Sequence, residues 1–170
     1  MINENELAEL KALVNDKTAS KISRLIALKK LNPNKYEKCK LEVNVNSPDE
    51  LGTTALAHAI MPTPDLDGIR LLLDAGADVN IKNASGKTAL MIALFFCREN
   101  GYRLTKKIMK MLIDAGADVN IKDDYGTTVY EYATKYMDIA KRTGKKWEVD
   151  LYKKIKEFLK SYNNIKGGAL

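Results

Sequence analysis

Apolar residues recur at helical spacing along most of the chain, and glycine or proline cuts the stretches short at nearly regular intervals. Leu7, Leu10, Leu13 and Val14 form one stripe, which Asn3 and Glu6 open as a capping box. Ile22, Leu25 and Ile26 form a second, stopped at Asn32-Pro33. Leu71-Leu72-Leu73 and Met111-Leu112-Ile113 predict two further helices, each followed by a glycine, Gly76 or Gly116, suited to the left-handed conformation that ends a helix. Trp147, Leu151, Ile155, Phe158, Leu159 and Tyr162 make a last stripe, expected to face inward and close the core.

Two of these stops are the same sequence. Ala-Gly-Ala-Asp-Val-Asn runs from Ala75 to Asn80 and again from Ala115 to Asn120, 40 residues on, with Ile-Lys after both copies. Repeats of about 20 to 50 residues mark solenoids, in which each unit buries its apolar face only against its neighbours. A second shared element, Asn83 to Leu90 and Asp123 to Tyr130, has a third copy in Asp49 to Leu56. In each copy an Asx stands three residues before a glycine (Gly52, Gly86, Gly126), which predicts a tight turn. A threonine two residues later (Thr54, Thr88, Thr128) is placed to cap the next helix. The unit therefore reads as turn, short helix, connection, longer apolar helix and glycine stop.

This pattern resembles the ankyrin repeat, which runs Asp-x-x-Gly-x-Thr-Pro-Leu-His-x-Ala, then an apolar second helix, then Gly-Ala-Asp-Val-Asn. The three glycines and threonines match, as do Ala59, Ala93 and Ala133, and Gly76 and Gly116 with the residues after them. The family's Pro is replaced by Ala55, Ala89 and Val129, and its His by Ala57, Met91 and Glu131, so the bonds that His makes between repeats are not carried over. The middle unit is longer than the family's ~33 residues, and its extra residues, around Cys97 to Lys107, read as a loop or a helix extension. The resemblance implies an all-α solenoid of antiparallel helix pairs with short β-hairpin turns. We divide it into an N-terminal capping repeat (3–44), repeats at 45–80 and 81–120, a C-terminal capping repeat (121–163) and a tail (164–170). In that division Leu41-Glu-Val-Asn44 is aligned with Ala77-Asp-Val-Asn80.

Composition agrees with one folded domain: 45% of residues are hydrophobic and 29% charged, with no Pro/Gly/Ser-rich linker. There is no apolar run of transmembrane length, and the acidic, amphipathic first ten residues do not read as a signal segment. A cytoplasmic monomer is expected, with export by a signal-peptide-independent route left open. Met1 followed at once by a capping helix, and the basic helix at the other end, read as a whole chain rather than a fragment. Charge is uneven. Lys141 to Lys166 holds nine Lys/Arg and three Asp/Glu, a surplus equal to the whole formal charge of +6. Lys153, Lys156 and Lys160 share one helix face, read first as a solvated cap and second as contact for an acidic partner.

Catalytic motifs are missing: no nucleophile elbow, phosphate loop, dinucleotide fingerprint or His-Glu-x-x-His occurs. Cys39 and Cys97 stand apart without a CxxC, and His58 is the sole histidine, so neither a disulfide framework, a metal site nor a cofactor is expected. The recurring aspartates (Asp74, Asp78, Asp114, Asp118, Asp123) follow the repeat and read as turn and cap residues. The resemblance implies a non-catalytic module that holds a protein partner, as adaptor or inhibitor, on its hairpin tips and concave first-helix face. Register from each glycine places that surface at Glu50, Leu51, Thr53, Met61 and Pro62; at Ala84, Ser85, Lys87, Phe95 and Phe96; and at Asp124, Tyr125, Thr127, Lys135 and Tyr136. Phe95 or Phe96 has the alternative of packing under the inserted segment. The other readings are a structural or accessory domain, and an effector or immunity-type protein whose basic C-terminal helix binds an acidic partner. Nucleic acid and small-molecule substrates are not expected.

Overall fold

The computed structural model describes residues 45–49 and 51–165, with side chains through residue 162. Among the described residues are six helices and no strand: α1 (Ala55–Ile60), α2 (Leu66–Asp74), α3 (Ala89–Phe95), α4 (Cys97–Asp114), α5 (Val129–Arg142) and α6 (Lys146–Ile165). They stack as three pairs. α1 packs on α2, α3 on α4 and α5 on α6, while the first members form a row, α1 on α3 on α5, and α4 packs on α6. The expected capping unit at 3–44, Cys39 and the tail after residue 165 lie outside the described residues.

The same turn opens every pair. Asp49, Asn83 and Asp123 each accept two backbone N–H groups on Oδ1, from Leu51 and Thr53, Ser85 and Lys87, and Tyr125 and Thr127, at 2.8 to 3.0 Å. Two backbone bonds close each loop, from the Asx N–H to the carbonyl four residues on at 3.0 Å and from the glycine N–H back to the Asx carbonyl at 2.8 to 3.0 Å. Both bonds lie within the turn and there is no ladder to extend, so among the described residues the expected β-hairpins are turns without strands. Gly52, Gly86 and Gly126 all have φ 72°. The first two also lack room for a side chain: a Cβ on Gly52 would stand 2.8 Å from the Ala84 nitrogen, and one on Gly86 would strike Asp124. The tips are thus pressed together, and Ala84 N–H donates to the Leu51 carbonyl at 3.2 Å.

A second link between units corrects the expected register of the first. Asn80 Oδ1 accepts from Asp118 N–H at 2.9 Å, and Asn46 Oδ1 accepts from Asp78 N–H at 2.8 Å, so Asn46 is the counterpart of Asn80. Val45 is buried as Val79 and Val119 are. The closing Val-Asn of the first unit is therefore Val45-Asn46 and not Val43-Asn44. The sequence Val-Asn-Val-Asn fits both registers, and only the six-residue step from Asn46 to Gly52, repeated from Asn80 to Gly86, separates them.

Helix starts follow the threonines, unevenly. Thr128 accepts from Glu131 N–H while Glu131 Oε2 accepts from Thr128 N–H at 2.7 Å, a complete capping box. Thr54 accepts from Ala57 N–H at 3.3 Å. Thr88 has the extended cap backbone but makes no side-chain cap bond. Leu72 and Leu112, equivalent residues of α2 and α4, are fully buried in the core between the layers. The extra residues of the middle unit are helical: α4 has 18 residues against nine in α2 and is broken at Gly101, where φ is 70° and ψ 165°. In α6, Leu151, Ile155, Phe158 and Leu159 face the core as expected, but Trp147 is exposed. Glu148 takes the buried place in that first turn, with Oε1 3.3 Å from both Arg98 Nε and Lys145 Nζ.

Candidate protein-binding surface

The turns that join the units also display residues. Because each Asx folds its loop back on two amides, the side chains just before the glycines, Leu51, Ser85 and Tyr125, point away from the stack and are exposed, Leu51 at 71% and Tyr125 at 81%. Asp124 is exposed beside Tyr125. The residue after the glycine behaves differently. Thr53 and Thr127 are buried, contrary to the surface role expected for them. Lys87, at the same position in the middle unit and with its N–H held by Asn83 in the same way, is half-buried.

Behind the tips, the face of the first helices carries a row of aromatic rings and ammonium groups. Lys87 Nζ lies 5.7 Å from the Phe95 ring centre and 5.8 Å from that of Tyr132, so one cation bridges two units. Lys135 Nζ lies 5.6 Å from the Tyr132 ring and donates to Thr127 Oγ1 at 3.0 Å. Phe95 is 55% exposed and meets Phe96 edge to face, with ring centres 5.1 Å apart. Met61, Lys87, Ile92, Phe95 and Phe96 enclose a cleft of about 190 Å³. That is smaller than the roughly 300 Å³ of a small-molecule pocket, and its size suits one apolar side chain.

Of the residues expected on this surface, Leu51, Ser85, Phe95, Asp124, Tyr125 and Lys135 are exposed, while Met61, Lys87, Phe96 and Tyr136 are half-buried. Glu50 lies outside the described residues. Phe96 and Tyr136 correct the expectation of free anchors, for both pack against the core. Tyr136 stands between Tyr132 and Tyr152, with ring centres 5.8 and 5.5 Å away, and burial pushes its phenol above the usual range. The packing alternative thus describes Phe96 and the open one Phe95. The register of variable positions does not include Tyr132, although it stands six residues after its glycine, as His58 does.

The polar groups of the surface are held by structure. His58 Nε2 lies 2.7 Å from Asp49 Oδ2, and this hydrogen bond, aided by amides of the turn, holds the Asp49 carboxyl below the usual range. The Thr128 amide does the same for Glu131. Asp78 and Asp118 accept from Asn80 and Asn120 N–H at 2.8 Å, and Asp114 bonds Lys110 at 2.7 Å. These carboxylates serve turns and helix ends. Among the described residues no group of three or more His, Cys, Asp or Glu is gathered as a metal site would require.

A family model described as Ankyrin repeats (3 copies) matches residues 12–123 and 65–142, most of the chain. The chain belongs to the ankyrin repeat family. No curated protein matches it. Ankyrin repeats generally mediate protein–protein interaction, and the family is typically non-catalytic. The ankyrin turn explains the exposure pattern above, since each repeat spends its Asx on its own backbone and leaves the residue before the glycine facing outward. No helix among the described residues is long and apolar enough to cross a membrane.

Proposed function

We propose that this ankyrin stack is a non-catalytic binding module, an adaptor or inhibitor, which holds a protein partner on its tips and first-helix face. The observation that carries the reading is the exposure of Leu51 and Tyr125 on the tips and of Phe95 on the first-helix face. Large apolar side chains stand exposed on the turns and beside a cleft of one-residue size that Lys87 lines, with Lys135 on the next first helix. Rigid exposed aromatics supply contact area at small entropic cost, which is why they dominate binding energies. The lysines would favour a carboxylate beside the partner's apolar anchor. The module is proposed to act as a cytoplasmic monomer.

The test is a triple Leu51→Ala, Phe95→Ala, Tyr125→Ala variant, used as bait beside the wild type in the native organism's extract. A protein recovered by the wild type is then titrated against both by calorimetry. Binding should weaken by two orders of magnitude or more, about 3 kcal/mol, with the melting temperature nearly unchanged. Equal affinity of the two baits would reject this surface.

A further inference from the structure

We propose that the groove between α5 and α6 is a second docking site, and that its occupant is an acidic protein segment carrying apolar side chains. Tyr130, Met137 and Lys141 recur along one face of α5, and Val149, Lys153, Lys156 and Lys160 along one face of α6, so two antiparallel helices bound a trough of about 350 Å³. This is the last helix pair among the described residues, and no described element covers the trough. From Tyr130 to Lys141 a helix advances about 16 Å at about 1.5 Å per residue, a distance that about five extended residues span.

Charge and floor together select the occupant. Tyr130, Met137 and Val149 give the trough an apolar floor. Lys156 Nζ and Lys160 Nζ lie 4.9 and 5.7 Å from the Tyr130 ring centre, so the ring gathers two ammonium groups without neutralising either. Lys141 is bonded to Asp138 at 3.1 Å, but among the described residues no carboxylate pairs with Lys153, Lys156 or Lys160. Three ammonium groups gathered beside one carboxylate, Glu157, that pairs with none of them are relieved by carboxylates brought in by a partner. A nucleic-acid backbone fits less well. Glu157 sits among the lysines, and the one ring at hand, Tyr130, is occupied by ammonium groups and not open for a base to stack.

Fluorescence anisotropy with a labelled peptide of about ten residues, Asp and Glu interleaved with Leu and Phe, tests the site at low salt. Wild type should bind it saturably, and Lys153→Gln, Lys156→Gln, Lys160→Gln combined should weaken binding about tenfold or more. Glu157→Gln should tighten it about two- to threefold, a gain that misfolding cannot imitate. The Leu51, Phe95, Tyr125 triple variant should bind it as the wild type does, so failure here leaves the tip surface standing. The proposal is overturned if the lysine variant binds equally, or if a peptide with Gln for its acids, or one with Ser for its apolar residues, binds as tightly. Tighter binding of an oligothymidylate of about the same length would also overturn it, in favour of nucleic acid.

Discussion

The Tyr132 hydroxyl donates to Asp123 Oδ2 and so spans, over the third turn, the nine residues by which His58 meets Asp49 over the first. In both cases a first-helix side chain reaches back to the oxygen that the turn's amides leave free, and ties helix to tip. The middle unit has Asn83 and Ile92 at these positions, and Ile92 lines the apolar cleft instead.

Burial, the largest influence on the Asp123 carboxyl, would raise it, but hydrogen bonds from Tyr132 and from the Thr127 and Tyr125 amides outweigh it and hold the group below 3.8. A folded value below the unfolded one means that the stabilisation is complete above the unfolded value and is lost as pH falls through the folded one. Asp123→Asn keeps the two amide bonds, as Asn83 does, and loses the charge. Its deficit in melting temperature should be full at about pH 6, above the ordinary carboxylate range, and should shrink as pH falls below that range. A deficit constant over that series would mean that the carboxylate is not what Tyr132 stabilises.

Gly52, Gly86 and Gly126 share one φ but not one neighbourhood. Gly126→Ala should cost only the backbone strain of a left-handed residue, about 1 to 2 kcal/mol. Gly52→Ala and Gly86→Ala should cost more, because the new methyl also meets the next tip. Urea unfolding of the three single variants checks the order, and three equal losses would mean that the tips are not in contact.

Leu72 and Leu112 are the paired core leucines of the second helices, 1% and 0% exposed. Either Leu→Ala change should cost about 2 to 5 kcal/mol in equilibrium unfolding. Losses under about 1 kcal/mol at both sites would mean that these helices do not hold the stack together.

Cys97 is fully buried at the start of α4, and burial pushes its thiol up to about 12, with Tyr152 as its hydrogen-bonding neighbour. In a Cys39→Ser background, iodoacetamide should label the native protein about a hundredfold more slowly than the denatured chain at neutral pH. Comparable rates would show that the broken first turn of α4 opens freely.

The repeat, the turns and the helix ends were legible in the residues because each is a local event. An Asx three residues before a glycine determines its own loop, and a glycine after an apolar helix ends it, whatever lies nearby. The candidate surface was legible only in part. Register alone placed Leu51, Phe95 and Tyr125 outward, but it equally placed Phe96, Thr53 and Tyr136 there. Which of two adjacent phenylalanines is open depends on how α3 turns into α4, and Tyr136 is covered because Tyr152, sixteen residues later, folds onto it.

The sequence by itself determined that the chain stacks as ankyrin repeats, since the spacing of Gly, Thr and Asn is a property of the backbone within one unit. Tertiary structure alone decided which side chains of different elements meet. It put Lys87 between Phe95 and Tyr132, drew Lys156 and Lys160 over Tyr130, and left Trp147 outside while burying Glu148. These contacts join residues distant along the chain through long side chains with many rotamers. Their outcome depends on packing and on which opposite charges and rings come within reach, and no local pattern encodes that.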